Sequence, residues 1–263
     1  MKGESVEDRS SGWGQERRLA GLARFLPVGD TAFAVEFGSV IAPQINALVH
    51  RTATLLAQAP LPGLIETVPT FRSLLVHYDP LTTSAEELQT ALAALDLGEA
   101  GDAVSARLWR LPVLYGGEAG PDLDEVARAA GLSADEVVAR HSGTTYHVYV
   151  QGFLPGFAYL GDLPPELDLP RLTVPRVRVP PGSVAIAQRM TGVYPLESPG
   201  GWRLIGNTPV RFFDPAATPP TLFAPGDRVR FVPVDAAEHE RVKRGVIDGN
   251  FIPHHEVTSE GGQ

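Results

Sequence analysis

The chain has 263 residues, with 22 Lys and Arg against 31 Asp and Glu, and a formal net charge of −9. At about 150 residues per domain, that length suggests two domains, and 43% hydrophobic residues exclude wholesale disorder. The acidic balance argues against nucleic-acid binding, and the absence of cysteine excludes disulfides, Cys-zinc sites and thiol nucleophiles. It also fits a reducing compartment. No run of 18 or more apolar residues marks a transmembrane helix. The polar N-terminus lacks the apolar stretch of a signal peptide, so a soluble, cytoplasmic protein is expected. Residues 1–19 and 251–263 read as tails.

Leu22 to Leu26 and Ala32 to Phe37 are short strand candidates around a Gly29-Asp30 turn. Ile41, Ile45, Leu48, Val49, Thr52, Leu55 and Leu56 recur at helical spacing, and Pro60, Pro62 and Gly63 end that helix. Leu64 to Val68 and Ser73 to Tyr78 are strands. Ser84-Ala85-Glu86-Glu87 is a capping box, followed by Leu88, Leu92 and Leu95 on one face. Two helices covering one face of a small antiparallel sheet make an α+β unit of ferredoxin-like character over 20–100.

Gly98 to Ser105 is small and polar and serves as a linker. A second domain, 106–250, opens with a strand at Leu108 to Leu114. Short helices follow at Pro121 to Ala130 and Ser133 to Arg140, the latter behind a second capping box. Thr144 to Val150 alternates with a period of two. From Gly152 onward no helical period survives. Short apolar runs at Val184 to Ala187, Trp202 to Ile205, Val210 to Phe213 and Val229 to Val232 are cut by Pro and Gly, which suggests a closed β-barrel.

There is no phosphate loop, no H-E-x-x-H and no G-x-S-x-G. His254-His255-Glu256 reads as a solvated tail rather than a metal site. Glu118, Asp122, Asp124 and Glu125 read as first-turn residues that complement a helix dipole, not as a cation site. No metal-ligating residues are expected in this chain. The informative stretch is His141 to Pro209. Gly152 to Gly161 packs three glycines, a proline and the aromatics Phe153, Phe157 and Tyr159 into ten residues, the makings of a pocket wall. Arg171, Arg176 and Arg178 lie within eight residues of a proline-stiffened segment, and planar guanidinium forks suit carboxylate or phosphate oxygens. Ser198-Pro199-Gly200-Gly201-Trp202 offers backbone N–H groups to an oxyanion, in the manner of a nest.

Gly152-Phe153-Leu154-Pro155-Gly156-Phe157, Val179-Pro180-Pro181-Gly182-Ser183-Val184-Ala185-Ile186, Thr191-Gly192-Val193-Tyr194-Pro195 and Ser198-Pro199-Gly200-Gly201-Trp202 resemble, in that order, the signature of the allophanate-hydrolase subunit 1 family. That family takes in the B subunit of bacterial 5-oxoprolinase and the sporulation-kinase inhibitor KipI. Gly29-Asp30, Glu36-Phe37-Gly38 and Gly226 to Phe231 extend the likeness over about 20–235. The resemblance implies a small α+β domain followed by a cyclophilin-like β-barrel. It implies a subunit 2 (C) partner and a third subunit, and ATP-dependent opening of the lactam 5-oxoproline by the complex; no turnover is expected of this chain alone. It also admits a KipI-like inhibitory module or a urea amidolyase relative. Ala158, Met190 and Asn207 stand where the family pattern has Pro, Gln and Arg. On this basis Arg176 and Arg178 are candidates to neutralise oxyanions, and His141 is a candidate general base. Phe153, Phe157, Tyr159, Ser183, Tyr194, Gly200, Gly201 and Trp202 are candidates for substrate contact.

Overall fold

A computed structural model of the chain describes residues 19–59, 61–97 and 106–258. The tail before Leu19, the linker Gly98 to Ser105 and the residues after Thr258 lie outside the described residues. The chain divides into two compact units, 1–103 and 104–263.

The first unit contains β1 (Arg24–Pro27), β2 (Ala32–Glu36), α1 (Pro43–Gln58), β3 (Leu64–Pro69), β4 (Ser73–Tyr78) and α2 (Ala85–Ala93). The strands form one sheet in the order β1-β2-β4-β3, with every neighbour antiparallel. Pro43 starts α1, where its missing N–H costs no hydrogen bond. Val49 and Leu56 point from α1 into a core with Phe33, Val35, Leu74 and Val76. Asn46 is buried there because its amide donates to the carbonyls of Thr70 and Phe71, pinning the β3–β4 turn to the helix. The Ser84–Glu87 capping box forms as the sequence expects and starts α2. The unit is α+β, with the element order ββαββα.

The second unit contains β5 (Ala106–Tyr115), α3 (Leu123–Ala130), α4 (Ala134–Gly143), β6 (Tyr146–Gln151) and β7 (Ala158–Gly161). After them come β8 (Arg176–Val179), β9 (Ser183–Ala187), β10 (Met190–Val193), β11 (Ser198–Gly200), β12 (Arg203–Asn207), β13 (Arg228–Pro233), α5 (Ala236–Ile247) and β14 (His255–Thr258). Seven strands run in the order β12-β9-β10-β7-β6-β13-β5, and a β5–β12 pairing closes them into a barrel. Among the described strands, only β5 and β13 pair in parallel. β8 and β11 form a separate two-stranded ribbon.

Three expectations are corrected. Ala236–Ile247 is a helix although no helical period was expected after Gly152; Asp235 caps it by accepting from the Glu238 N–H. Its weak apolar stripe, with Val242 buried, hid it. The supposed tail carries β14, which pairs with the first half of β5 and packs the His255 ring, tilted, against Trp109 with centroids 4.5 Å apart. Backbone pairing needs no apolar signature, so polar composition concealed a strand. Val210 to Phe213 is not a strand but lies in a loop, with one isolated bridge from Phe213 to Thr221.

β9 shows where the outer face of the barrel is covered. Val184 and Ile186 point into the barrel core, while Ala185 and Ala187 point outward. Ile205 and Leu204 of β12 divide the same way. The whole of β9 is buried, so something covers the barrel's outer face here. The cover is the β8–β11 ribbon, through Val179, together with a set of aromatic rings.

Candidate functional site

Those rings are the aromatics expected from the sequence. Phe157 lies at the centre, with ring centroids 5.0 Å from Tyr159, 5.3 Å from Tyr194, 5.6 Å from Trp202 and 5.7 Å from Phe153. All four contacts are edge-to-face, the arrangement that ring quadrupoles favour. Small side chains on the barrel wall, Ala185 and Ala187, leave room for them. Gly200 is required because a Cβ there would overlap the Tyr194 hydroxyl. Burial pushes the Tyr194 phenol up; a hydrogen bond from the Trp202 backbone and the positive fields of Arg171 and Arg176 oppose this. Tyr194 is therefore a neutral phenol at neutral pH.

Phe153 differs from the others. It is 59% exposed and has a φ of +70°. The Leu154 N–H donates to the Gly152 carbonyl at 2.9 Å, so Phe153 is the central residue of a γ-turn of the rare positive-φ kind. An exposed aromatic held in that conformation is strain maintained by its surroundings. Gly156 supports the same loop, with φ +82° and its Cα against the Phe212 backbone.

The three arginines separate. Arg171 lies over the Trp202 ring at 6.0 Å, a cation–π contact. Arg176 sends Nη2 to Asp122 Oδ1 at 2.6 Å, while Asp122 Oδ2 accepts the Leu204 N–H at 2.7 Å. Asp122 occupies the N-cap position of α3 but makes no side-chain cap bond. Its carboxylate serves the ribbon instead of the helix. Arg178 is exposed, with 76% of its side chain accessible, and pairs with Glu197 at 2.6 Å. Such a rim pair contributes little.

Other expectations shift. His141 is wholly buried inside the barrel and stacked on Phe231 at 4.6 Å. Its Nδ1 meets the Tyr115 hydroxyl at 2.7 Å and its Nε2 meets Thr191 Oγ1 at 2.9 Å. Burial pulls its pKa down to about 3. Both ring nitrogens are engaged and no solvent reaches them, so His141 is a core histidine rather than a general base. Ser183 is buried in the barrel wall, where its carbonyl accepts the Tyr194 N–H. Gly200 and Gly201 both lack positive φ and form no αR–αL nest; Gly200 pairs with Arg176, and the Gly201 carbonyl accepts from Leu172 N–H at 2.7 Å. Asn207 bridges the Pro181 carbonyl and His239 Nε2.

Sequence reasoning did not single out Ser198. It is 7% exposed, and among the described residues its hydroxyl has no hydrogen-bond partner; Arg176 Nη1 likewise has none among them. Nothing in local sequence marks a serine whose significance comes from ribbon pairing. Two cavities, of about 270 Å³ beside Trp109 and Phe212 and about 430 Å³ beside Arg24 and Glu36, share no lining residue with the aromatic wall. The wall's ring geometry and unpaired donors are better guides to chemistry than either opening. No cluster of three or more His, Asp or Glu suited to a metal occurs among the described residues, and no helix among them is long and apolar enough to cross a membrane.

A barrel with an aromatic wall under a β-ribbon defines the class. The family model for the carboxyltransferase domain, subdomains C and D, matches residues 23–223. The chain belongs to that family, and its relatives within it are B subunits of 5-oxoprolinase, which bears out the resemblance to the allophanate-hydrolase subunit 1 family. It is 40% identical over 230 residues to the 5-oxoprolinase B subunit of Bacillus subtilis, covering 82% of this chain and 95% of that one. The crystal structure of TTHA0988 is 40% identical with a TM-score of 0.68 over 78% of this chain, which spans only 40% of that longer chain. Kluyveromyces lactis urea amidolyase shares the fold at 20% identity and a TM-score of 0.73, over 89% of this chain and 16% of its own.

Proposed function

We propose that the chain is the B subunit of a cytoplasmic 5-oxoprolinase complex that opens 5-oxoproline to L-glutamate at the expense of ATP. It acts with a subunit 2 (C) and a third subunit. The observation that carries this is 40% identity to a protein of that name across 95% of its length. In this reading the barrel is cyclophilin-like. The first unit is a permuted ferredoxin-like domain, since moving the first strand of ββαββα to the end gives βαββαβ.

Opening an unstrained lactam is slow in water, and ATP converts the lactam oxygen into a leaving group. What this chain supplies is binding and charge. Phe153, Tyr159, Tyr194 and Trp202 hold the ring, Arg176 faces anionic oxygen and Arg178 steers from the rim. No nucleotide contact is assigned to this chain, which lacks a phosphate loop. The test is Arg176→Ala in the reconstituted complex. ATP-dependent 5-oxoproline turnover should fall at least 100-fold, the scale on which one preorganised donor acts; unchanged turnover removes Arg176 from the mechanism. Failure of the wild-type chain to support turnover with any subunit 2 partner sinks the functional assignment.

A further inference from the structure

We propose that Arg176 and Ser198 together form a two-donor seat for the carboxylate of a small ligand whose apolar body lies against Phe153, the exposed ring of the aromatic cluster. This rests on reading the aromatic wall as the ligand site. Buried polar groups are almost always paired, and one without a partner asks for an occupant. Here two such atoms, Arg176 Nη1 and Ser198 Oγ, sit on the two strands of one ribbon. Gly200 pairs with Arg176 and Ser198 with Val179, with a register shift between them.

The chemistry of the pair selects its ligand. A guanidinium offers only N–H, and a serine with no acceptor in reach offers its O–H, so both call for an accepting oxygen. Arg176 is held in place through Nη2 by Asp122, which the Leu204 N–H anchors in turn. Nη1 is thus fixed before any ligand arrives. Asp122 also neutralises much of the Arg176 charge, so the seat suits a single negative charge, and a dianionic phosphate would bring charge left uncompensated. Arg171, stacked on Trp202, adds a second cation beside the rings. Phe153, 59% exposed and edge-on to Tyr194, supplies the apolar surface for the rest of the molecule.

The test uses the full chain, titrated by calorimetry and thermal shift with three probes. These are 5-oxoproline, 2-pyrrolidinone (the same ring without the carboxylate) and inorganic phosphate. We expect 5-oxoproline to bind at least tenfold more tightly than the other two, and Ser198→Ala to remove that advantage. We also expect Ser198→Ala to leave the ligand-free melting temperature unchanged or higher, because its hydroxyl has no bond to lose. Equal binding of 5-oxoproline and 2-pyrrolidinone, or a Ser198→Ala chain that melts lower yet binds as before, overturns the seat. So does an absence of 5-oxoproline binding by the chain combined with an unchanged KM when Ser198→Ala is placed in the reconstituted complex. A complex that turns over normally with Ser198→Ala refutes the seat and spares the functional assignment. Ser198-dependent binding without turnover in any complex does the reverse.

Discussion

Inside the barrel, a line of buried polar groups is completely paired; on the outer face, two buried polar atoms are not. The inner line can be written donor by donor. Thr191 donates to the Ala185 carbonyl, so it accepts from His141 Nε2–H, and His141 Nδ1 accepts the Tyr115 hydroxyl proton. The line ties α4 to β5, β10 and β9, and it needs nothing from outside. The outer pair, Arg176 Nη1 and Ser198 Oγ, lies on a ribbon that packs against the ring cluster through Val179 and Gly200. Burial alone does not separate structure from function in this molecule. What distinguishes the two sets is satisfaction: the inner one is closed, and the outer one leaves two donors open.

The largest effect is expected where the inner line is cut. His141→Leu strands the Tyr115 hydroxyl and breaks the link to Thr191, at a cost of about 3 kcal/mol. Urea denaturation followed by the fluorescence of Trp109 and Trp202 measures it. A loss below about 1 kcal/mol would mean that the network is ornamental, and the contrast with the ribbon would collapse.

The same histidine makes the barrel acid-sensitive, by a sign that follows from its burial. The unfolded chain takes up a proton near pH 6.5, whereas folded His141 resists until about pH 3. The unfolded state therefore binds more protons between those values. Stability contributed by neutral His141 is complete above about pH 6.5 and drains away as pH falls, at about 1.4 kcal/mol per pH unit. Carboxylates held low by caps and ion pairs, such as Glu36 and Glu87, add their own acid loss. The His141-specific part is the difference in slope between wild type and His141→Leu from pH 7 to pH 5. Parallel slopes would show that the histidine is already protonated in the folded state.

What was legible in the sequence follows the same division. Elements with a local cause were readable: the capping boxes at Ser84 and Ser133, the alternation in β6 and the amphipathic stripe of α1. The aromatics of the site were readable as a set because they crowd one stretch of chain. Ser198 and Asp122 were not, because their significance arises from register and from contacts across 54 and 82 positions of sequence. His141 was misjudged because a histidine near a helix end looks the same in sequence whether it faces solvent or a barrel core. β14 escaped because polar side chains say nothing about where a backbone pairs.

The smallest expected change in stability comes from Phe153, and its smallness is the point. A left-handed φ on a phenylalanine costs about 1–3 kcal/mol, while its edge-on contacts to Phe157 and Tyr194 return about 0.5–1.5 kcal/mol each. Phe153→Asn keeps the turn, because asparagine tolerates that φ, and removes both the strain and the ring. Stability should then move by less than about 1 kcal/mol, while 5-oxoproline turnover in the reconstituted complex should drop at least tenfold. A fall of 2 kcal/mol or more with turnover retained would make Phe153 a structural plug. The strained loop would then belong with the self-sufficient interior rather than with the open face of the ribbon.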